Sequence, residues 1–425
     1  MEKFILHNGM KLIYEKINGN ITSFTIGLEA GANVEDEKSL GLAHVVEHMV
    51  FKGTRDKSEK DINEICSEVF GFHNAMTNYP YVVYYGTCLS EDFKKGLEVY
   101  SDLILNPTFP AEGFKEEIKV ILEELKEWSD DLSQHCEDLL FYNTFASQRI
   151  KNLIIGKEEL LRKFTLEDVK NFYKEYYRPS NTVISVVTSL SKEDVLSKVE
   201  SLFSSWNEDT KEDKYKNNAN SNIQLDTRRV SYEKINSGVY TESKMNINGG
   251  KLQYIFPMEG LTHREIAILR VFNEAFAEGA NSILYEELRT KRGLVYDVVG
   301  KVKFEKGIKL YSIYAGASYE NIDEVIKIID NSLKAIKNSR GTFTKEKINR
   351  YIKSLKLKRT LTLEKSIVLS MYLAIYEIMF KDCKLLENEF NLIADINEEA
   401  IISVMEKVLT SPAIQIIRPK MPNIF

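Results

Sequence analysis

The chain has 425 residues, of which 43% are hydrophobic and 28% charged, and its formal net charge is −6. This length predicts two domains of about 200 residues each. The acidic balance and the lack of a basic stripe argue against a nucleic-acid-binding surface. Four scattered cysteines without a C-x-x-C pair argue against a disulfide framework and against a cysteine–zinc site.

Nothing in the sequence predicts a targeting or membrane segment. The first apolar run ends after three residues, which is too short for a signal peptide. No uninterrupted apolar stretch reaches about 18 residues, the length that a transmembrane helix needs. Since scattered thiols suit a reducing compartment, we expect a soluble cytoplasmic protein with neither a membrane nor a nucleic-acid partner.

The first half of the chain predicts strands followed by helices. Segments rich in β-branched and aromatic residues favour strands, and helical periodicity between turn signals favours helices. The predicted strands are 11–17, 21–30, 77–89 and 182–187, and the predicted helices are 40–51, 61–70, 91–105, 111–128, 165–177 and 191–203.

A polar segment then separates two similar halves. Residues 207–222 are mostly Asn, Lys, Glu and Asp, and they predict an interdomain linker. The second half repeats the plan, with strands to about 256, helices 263–277 and 283–291, strands to 314, and helices from 322 and 345. We therefore expect two homologous domains, 1–206 and 223–425, each an α+β arrangement of a mainly antiparallel sheet packed against helices.

The segment GLAHVVEHMVFKGT, residues 41–54, has the pattern of a metal site. On a helix, His44 and His48 lie on one face about a turn apart, and two imidazoles so placed can bind one zinc ion. Glu47 shares that face and can take a proton from a metal-bound water. The order H-x-x-E-H is the inverzincin signature. The alternative is a helix that carries two histidines by chance.

A third ligand is expected from another part of the chain, because a catalytic zinc ion usually has three protein ligands and a water. In the predicted helix 111–128, Glu117 and Glu124 lie seven residues apart at the margin of the apolar arc. Acidic groups at a buried margin need a partner, which a metal ion and a ligand histidine would supply. The alternative is two partly exposed glutamates beside the edge of the core.

Taken together, these residues resemble the pitrilysin/insulinase family of zinc peptidases, in particular its half-length members related to mitochondrial processing peptidase. The resemblance includes the opening LHNGMKLIYEKI and the histidine segment, and it covers most of the chain. It implies Zn²⁺ as the cofactor and His44, His48 and Glu124 as its ligands, with Glu124 lying in VILEEL. It also implies that Glu47 is the general base and that Glu117 holds a ligand histidine.

Two further segments resemble substrate-binding elements of that family. GFHNAMTNYPYVVYY, residues 71–85, resembles a Gly-Gly-x-x-Asn-Ala-x-Thr stretch that leads into an edge strand on which an extended peptide lies. The resemblance implies that Asn74 and Ala75 contact the substrate. Phe70 replaces the first glycine, which leaves the local turn open, and the alternative for Asn74 is a turn residue.

SILYEELRTKRGLVYDV, residues 282–298, resembles the family's Arg-x(6)-Tyr element, on which Arg289 and Tyr296 fall. In the family, this pair helps to hold the substrate and to stabilise the oxyanion, which a cation and a phenol are suited to do. The alternative for Arg289 is one more cation in a charged helix end.

The resemblance implies a zinc metalloendopeptidase that acts on unfolded or short peptides. Half-length members pair two chains into a closed clamshell, and this chain carries both the zinc motif and the Arg/Tyr pair. We therefore expect a homodimer, with a heterodimer with a related subunit as the alternative. The competing functions are a non-catalytic peptide-binding or structural subunit of a heterodimeric processing peptidase and a metal-dependent hydrolase of non-peptide amides. General peptide turnover, leader removal and maturation of a small peptide are all compatible with the sequence.

Overall fold

The computed structural model describes residues 1–146, 149–207 and 234–420. Apart from Asn207, the predicted linker 207–222 lies outside the described residues. The strands are β1 (Glu2–Ile5), β2 (Lys11–Lys16), β3 (Ile21–Leu28), β4 (Phe70–Thr77), β5 (Val82–Leu89), β6 (Thr182–Thr188), β7 (Gly238–Lys244), β8 (Gly249–Pro257), β9 (Val295–Glu305), β10 (Ile308–Ser318) and β11 (Ala413–Pro419).

The helices are α1 (Leu42–Val50), α2 (Glu59–Val69), α3 (Phe93–Leu105), α4 (Ala111–Asp130), α5 (Leu132–Thr144), α6 (Glu158–Leu161), α7 (Leu166–Tyr176), α8 (Lys192–Phe203), α9 (His263–Phe276), α10 (Ile283–Tyr285), α11 (Ile322–Asn338), α12 (Lys345–Leu363), α13 (Ser366–Phe380), α14 (Leu385–Asn388) and α15 (Glu398–Val408). Within the described ranges, none of these helices has the length and apolarity needed to cross a lipid bilayer.

Two sheets organise the chain, and the predicted α+β class is confirmed. The first sheet has the strand order β1-β2-β6-β3-β5-β4, and the second has the order β7-β11-β8-β10-β9. In each sheet one strand pair is parallel, β2 with β6 and β7 with β11, and the other pairs are antiparallel. The predicted strand 77–89 is found as β5, which begins only at Val82, while residues 70–77 form the separate edge strand β4.

Each compact unit includes a segment from the other half of the chain. Within the described residues, the first unit consists of 1–125, 153–207 and 362–386, and the second consists of 126–152, 234–361 and 387–420. Helix α13 therefore belongs with the first sheet and α5 with the second. Each predicted element was expected to belong to the half in which it lies along the chain, and neither of these helices was predicted.

Helix α13 explains why β3 is buried on both faces. One face of the first sheet packs on helices such as α1, α3 and α7, and the other face packs on α13 through Val83, Leu373 and Ile378. Two hydroxyls of β3 on that face are paired with serines of α13, since Ser23 Oγ lies 2.7 Å from Ser366 Oγ and Thr25 Oγ1 accepts from Ser370 Oγ over 2.9 Å. Polar residues therefore alternate with apolar ones along β3 although the strand is buried on both sides, because the serines of α13 satisfy their hydroxyls.

Helix α1 begins at an unusual cap. Gly41 has φ of 98°, and a Cβ there would lie 2.6 Å from the carbonyl oxygen of Ile155, so glycine fits this position. The Glu35 carboxylate accepts hydrogen bonds from the backbone N–H groups of Gly41 (3.0 Å) and Ala43 (2.8 Å). A buried carboxylate from a preceding loop thus satisfies amides that the helix itself leaves unpaired.

Candidate metal centre

The two histidines of α1 point their rings toward α4. His44 and His48 are one helical turn apart, and their Nε2 atoms approach to 3.2 Å. A carboxylate oxygen of Glu124, on α4, lies 3.6 Å from His48 Nε2 and 4.0 Å from His44 Nε2. All three side chains are partly buried, and one potential ligand atom from each lies within 4.8 Å of the others.

This arrangement fits a zinc ion. With metal–ligand bonds of about 2.0–2.1 Å, two ligands of a tetrahedral zinc ion are roughly 3.3 Å apart. The His–His separation is close to that value, and the two His–Glu separations exceed it by less than an ångström. A small movement of the Glu124 side chain, which is 41% exposed, would complete the set. Two imidazoles and one carboxylate are also a donor set typical of catalytic zinc.

A buried glutamate orients His48. Nδ1 of His48 donates to Oε1 of Glu117 over 2.7 Å, and Glu117 is only 6% exposed. This bond places the ring proton on Nδ1 and leaves Nε2 free to bind a metal ion. His44 is held differently, because none of the described residues hydrogen-bonds to its buried Nδ1.

The pKa values of the two histidines are shifted in opposite directions in the chain without metal. Burial, aided by the neighbouring His48 ring, lowers the pKa of His44 to about 3. Burial also disfavours the charged form of His48, but the surrounding carboxylates, first Glu117, outweigh it and raise the pKa of His48. Burial alone would raise the pKa of Glu117, yet its contacts with His48 and Lys52 lower it.

Glu47 is buried beside this cluster and is held by β4. It is 8% exposed, and the hydroxyl of Thr77 donates to its Oε2 over 2.5 Å. Burial raises the pKa of Glu47, and the hydrogen bonds from Thr77 oppose that shift. Such a carboxylate is oriented by one oxygen, and its raised proton affinity suits a group that accepts and releases a proton.

Sequence reasoning missed Lys52 and Thr77. Nζ of Lys52 lies 2.5 Å from Oε2 of Glu117 and 2.8 Å from Oε1 of Glu59. A signal for Lys52 was a cation directly after the predicted helix 40–51, four residues from His48. A signal for Thr77 was strand alternation, since residues two apart along β4 lie on one face of the sheet.

The predicted peptide-binding residues lie on β4, at one edge of the first sheet. Asn74 is exposed and pairs with Tyr85 of β5, and Ala75 pairs with Tyr84. Oδ1 of Asn74 accepts a hydrogen bond from the backbone N–H of Ala75 over 2.8 Å. Asn74 is thus a strand residue and not a turn residue. Its own side chain occupies the backbone N–H of the next residue on this edge strand.

The ring of Phe70 explains how this chain accommodates its departure from the glycine pattern. A Cβ at Gly86 or Gly96 would lie 2.6 or 3.0 Å from that ring, so two glycines leave room for it. A β-bulge between Phe70 and Phe72 follows directly. The local backbone therefore remains a strand, and the ring joins the core that includes Tyr100.

Arg289 and Tyr296 lie in the second compact unit and are brought together there. The guanidinium of Arg289 donates to the backbone carbonyl of Tyr296, and it lies 5.8 Å from the ring centroid of Tyr285. Arg289 and Tyr296 are both exposed, Tyr296 at 65%. Arg289 sits on a π-helical turn, Glu286–Thr290, which interrupts the regular helix that the sequence predicts for 283–291. Their part in catalysis stays a prediction.

Two family profiles match most of the chain. The profile described as Insulinase (Peptidase family M16) matches residues 11–158, which include the histidine pair and both α4 glutamates. The profile described as Peptidase M16 inactive domain matches residues 163–355. The candidate metal centre therefore lies wholly within the segment that matches the first profile.

Individual relatives agree with these matches. A Bacillus subtilis protein named as the uncharacterized zinc protease YmxG is 27% identical over 350 residues, which cover 81% of this chain and 80% of that protein. The beta subunit of rat mitochondrial-processing peptidase is 30% identical over 194 residues, covering 45% of this chain and 39% of the subunit. The crystal structure of a protease from Helicobacter pylori superposes with a TM-score of 0.86 at 19% identity, covering 98% of this chain and 99% of that one.

Proposed function

The chain belongs to the insulinase family, peptidase family M16, and from that premise we propose that it is a zinc-dependent metalloendopeptidase that hydrolyses unfolded or short peptides. The observation that carries the proposal is the convergence of His44, His48 and Glu124 beside the buried Glu47. The relatives named as zinc proteases and as a processing peptidase support the same reaction class.

Each residue of the centre has a defined task in this proposal. His44, His48 and Glu124 hold the zinc ion, and Glu117 fixes the tautomer and the orientation of His48. When bound, zinc supplies a Lewis acid for the scissile carbonyl and lowers the pKa of a water molecule. Glu47 accepts the proton of the attacking water and passes it to the leaving amine. Thr77 holds the Glu47 carboxylate in place through Oε2.

The substrate is proposed to bind as an extended strand along β4. An edge strand offers main-chain hydrogen bonds to any extended peptide, which requires the substrate segment to be unfolded. Asn74 and Ala75 would contact the substrate backbone, and the Asn74 side chain would release the Ala75 amide on binding. Arg289 and Tyr296, supplied by a second copy of the chain in a homodimer, would stabilise the oxyanion.

Peptide-library cleavage with a chelator control tests the proposal. We expect the purified chain to hold one zinc ion per copy and to cleave unstructured peptides, with activity lost to chelator and restored by zinc. Absence of stoichiometric zinc, or cleavage that a chelator does not change, would refute it. Peptide binding without cleavage by the zinc-loaded chain would favour a non-catalytic subunit instead. A gel-filtration mass of one chain would refute the homodimer.

A further inference from the structure

Lys52 joins three helices at a point that is nearly closed to solvent. It follows the C-terminus of α1, and its side chain is 15% exposed. Its Nζ contacts Oε2 of Glu117 on α4 at 2.5 Å and Oε1 of Glu59 on α2 at 2.8 Å. Both contacts are charged, so Lys52 is bound at two positions and has little freedom to move.

The two oxygens of Glu117 are divided between two partners. Oε1 accepts from Nδ1 of His48 at 2.7 Å, and Oε2 faces Lys52. A carboxylate held at both oxygens cannot rotate about its Cγ–Cδ bond without breaking one of the two contacts. The position of Oε1 opposite His48 therefore depends on Lys52 as well as on the backbone of α4.

We propose that Lys52 is a positioning residue for the metal centre, because it holds the Glu117 carboxylate in the orientation that presents Nε2 of His48 to the metal ion. This inference rests on the proposed zinc function. The proposed role of Lys52 differs from that of a purely structural ion-pair partner in one respect. A structural pair affects only the stability of the fold, whereas a positioning residue changes the metal affinity of a folded chain.

The pair of Lys57 and Asp102 offers a matched control. Nζ of Lys57 lies 2.8 Å from Oδ2 of Asp102 in the same compact unit, and Asp102 is mostly buried. Asp102 also accepts hydrogen bonds from Thr54 and Asn106, and no histidine among the described residues is hydrogen-bonded to it. Removing this lysine breaks a similar ion pair without touching Glu117 or the histidines.

The experiment measures the zinc affinity of metal-stripped, full-length variants by competition with a chromophoric chelator. We expect Lys52→Met to raise the Kd for zinc about 10-fold or more, which is the usual effect of losing a partner behind a metal ligand. We expect Lys52→Arg, which keeps the charge, to recover much of that loss. Lys57→Met should bind zinc like the parent chain. Thermal melting of each apo variant verifies that the affinities refer to folded protein.

A double variant tests the route through Glu117. If Lys52 acts through this carboxylate, Lys52→Met should not weaken zinc binding further in a Glu117→Gln background. Equal weakening in both backgrounds, or parental zinc affinity in Lys52→Met, would overturn the inference while leaving the zinc site intact. A parent chain that binds no zinc would overturn the proposed function as well. Should Lys52→Met fail to fold, Lys52→Gln, which removes the charge and keeps a polar side chain, takes its place in both backgrounds, and a parental zinc affinity in it would overturn the inference.

Discussion

Two pairs of helices occupy corresponding places in the two compact units. In the first, α1 follows β3, and α4 is the second helix after the β4–β5 hairpin. In the second, α9 follows β8, and α12 is the second helix after the β9–β10 hairpin. Each pair holds a buried glutamate against a lysine: Glu117 of α4 contacts Lys52, which lies just beyond α1, and Glu274 of α9 contacts Lys358 of α12. The same device thus appears twice in the chain.

The two glutamates have different remaining partners. Glu274 accepts from Ser354 Oγ at 2.5 Å and from Lys358 Nζ at 2.8 Å, so both of its oxygens are satisfied within its own helix pair. The adjacent Asn273 is likewise saturated by Gly300 and Tyr311. In the first pair, Glu117 gives one oxygen to His48, whose other nitrogen faces His44 and Glu124. In the α9/α12 pair, the buried polar groups satisfy one another. In the α1/α4 pair, three potential ligand atoms converge where an ion could bind.

The largest expected effect comes from removing the proposed general base. Glu47→Gln should lower the turnover of peptides by about 10²–10⁴-fold, because an amide cannot accept the proton of the attacking water. Its zinc content should stay that of the parent, since Glu47 is not a ligand. The measurement is cleavage of an unstructured peptide with zinc content determined in parallel.

Glu274→Gln is the counterpart in the second helix pair. Turnover per folded molecule should stay parental, because this carboxylate accepts only from Ser354 and Lys358 of α12 among the described residues and contacts no proposed metal ligand. Comparable losses in both variants would contradict the assignment of the general base to Glu47.

The next effect concerns metal and stability. Zinc should stabilise the chain by about 3–4 kcal/mol when its concentration is 100 to 1,000 times its Kd, since it binds the folded state. Chelator should lower the melting temperature accordingly. His48→Asn should abolish this zinc-dependent shift, whereas Lys358→Met should lower the melting temperature and keep the shift. If Lys358→Met also lost the zinc-dependent shift in melting temperature, zinc binding could not be assigned to the first helix pair.

Lys358→Met should itself destabilise the chain by about 2 kcal/mol, because it leaves the buried Glu274 carboxylate without its charged partner. Urea unfolding of the parent and the variant measures the difference. Glu274→Gln added to Lys358→Met should recover part of the loss, because the unpaired charge is then gone. A double variant as unstable as the sum of the two single variants would show that the pair is not coupled.

The smallest expected effect is a pH dependence of stability that arises from His48 and Glu117 of the first helix pair. In the metal-free chain the pKa of His48 is raised above 6.5, so its stabilising contribution is complete below pH 6.5 and is lost as pH rises through the folded value. The pKa of Glu117 is lowered below 4.5, so its contribution is present above pH 4.5 and is lost as pH falls through the folded value. Denaturant midpoints across pH should show the upper loss in the parent chain and not in His48→Asn.

Much of the fold and the centre of the site were predictable because they rest on local patterns. Helical phase alone put His44, Glu47 and His48 on one face, and the apolar arc of α4 set Glu117 and Glu124 apart from the neighbouring surface glutamates. Lys52 and Thr77 were not found, because their role depends on which side chains meet across elements. Helix α13 was not described either, although 15 residues with few charges are present there.

Strand β4 shows why the boundary near residue 77 was misjudged. Residues 70–77 include glycine, histidine and asparagine, which do not favour strands in isolation. Their extended conformation comes from antiparallel pairing with β5, the neighbouring strand of the first sheet. Tertiary pairing therefore overrode local preference at the very strand on which the proposed substrate would lie.

The position of α13 along the chain determines how long one face of the first sheet stays exposed during synthesis. The first sheet is complete once residue 188 has been made, yet the helix that covers its second face ends at residue 380. During translation, α13 cannot cover the apolar side chains of Ile13, Val83 and Val187 until nearly half of the chain has been added after β6. An isolated N-terminal half would carry every proposed metal ligand and still expose that surface, which invites aggregation or chaperone binding. The half that bears the chemistry thus depends for its solubility on a segment made almost last.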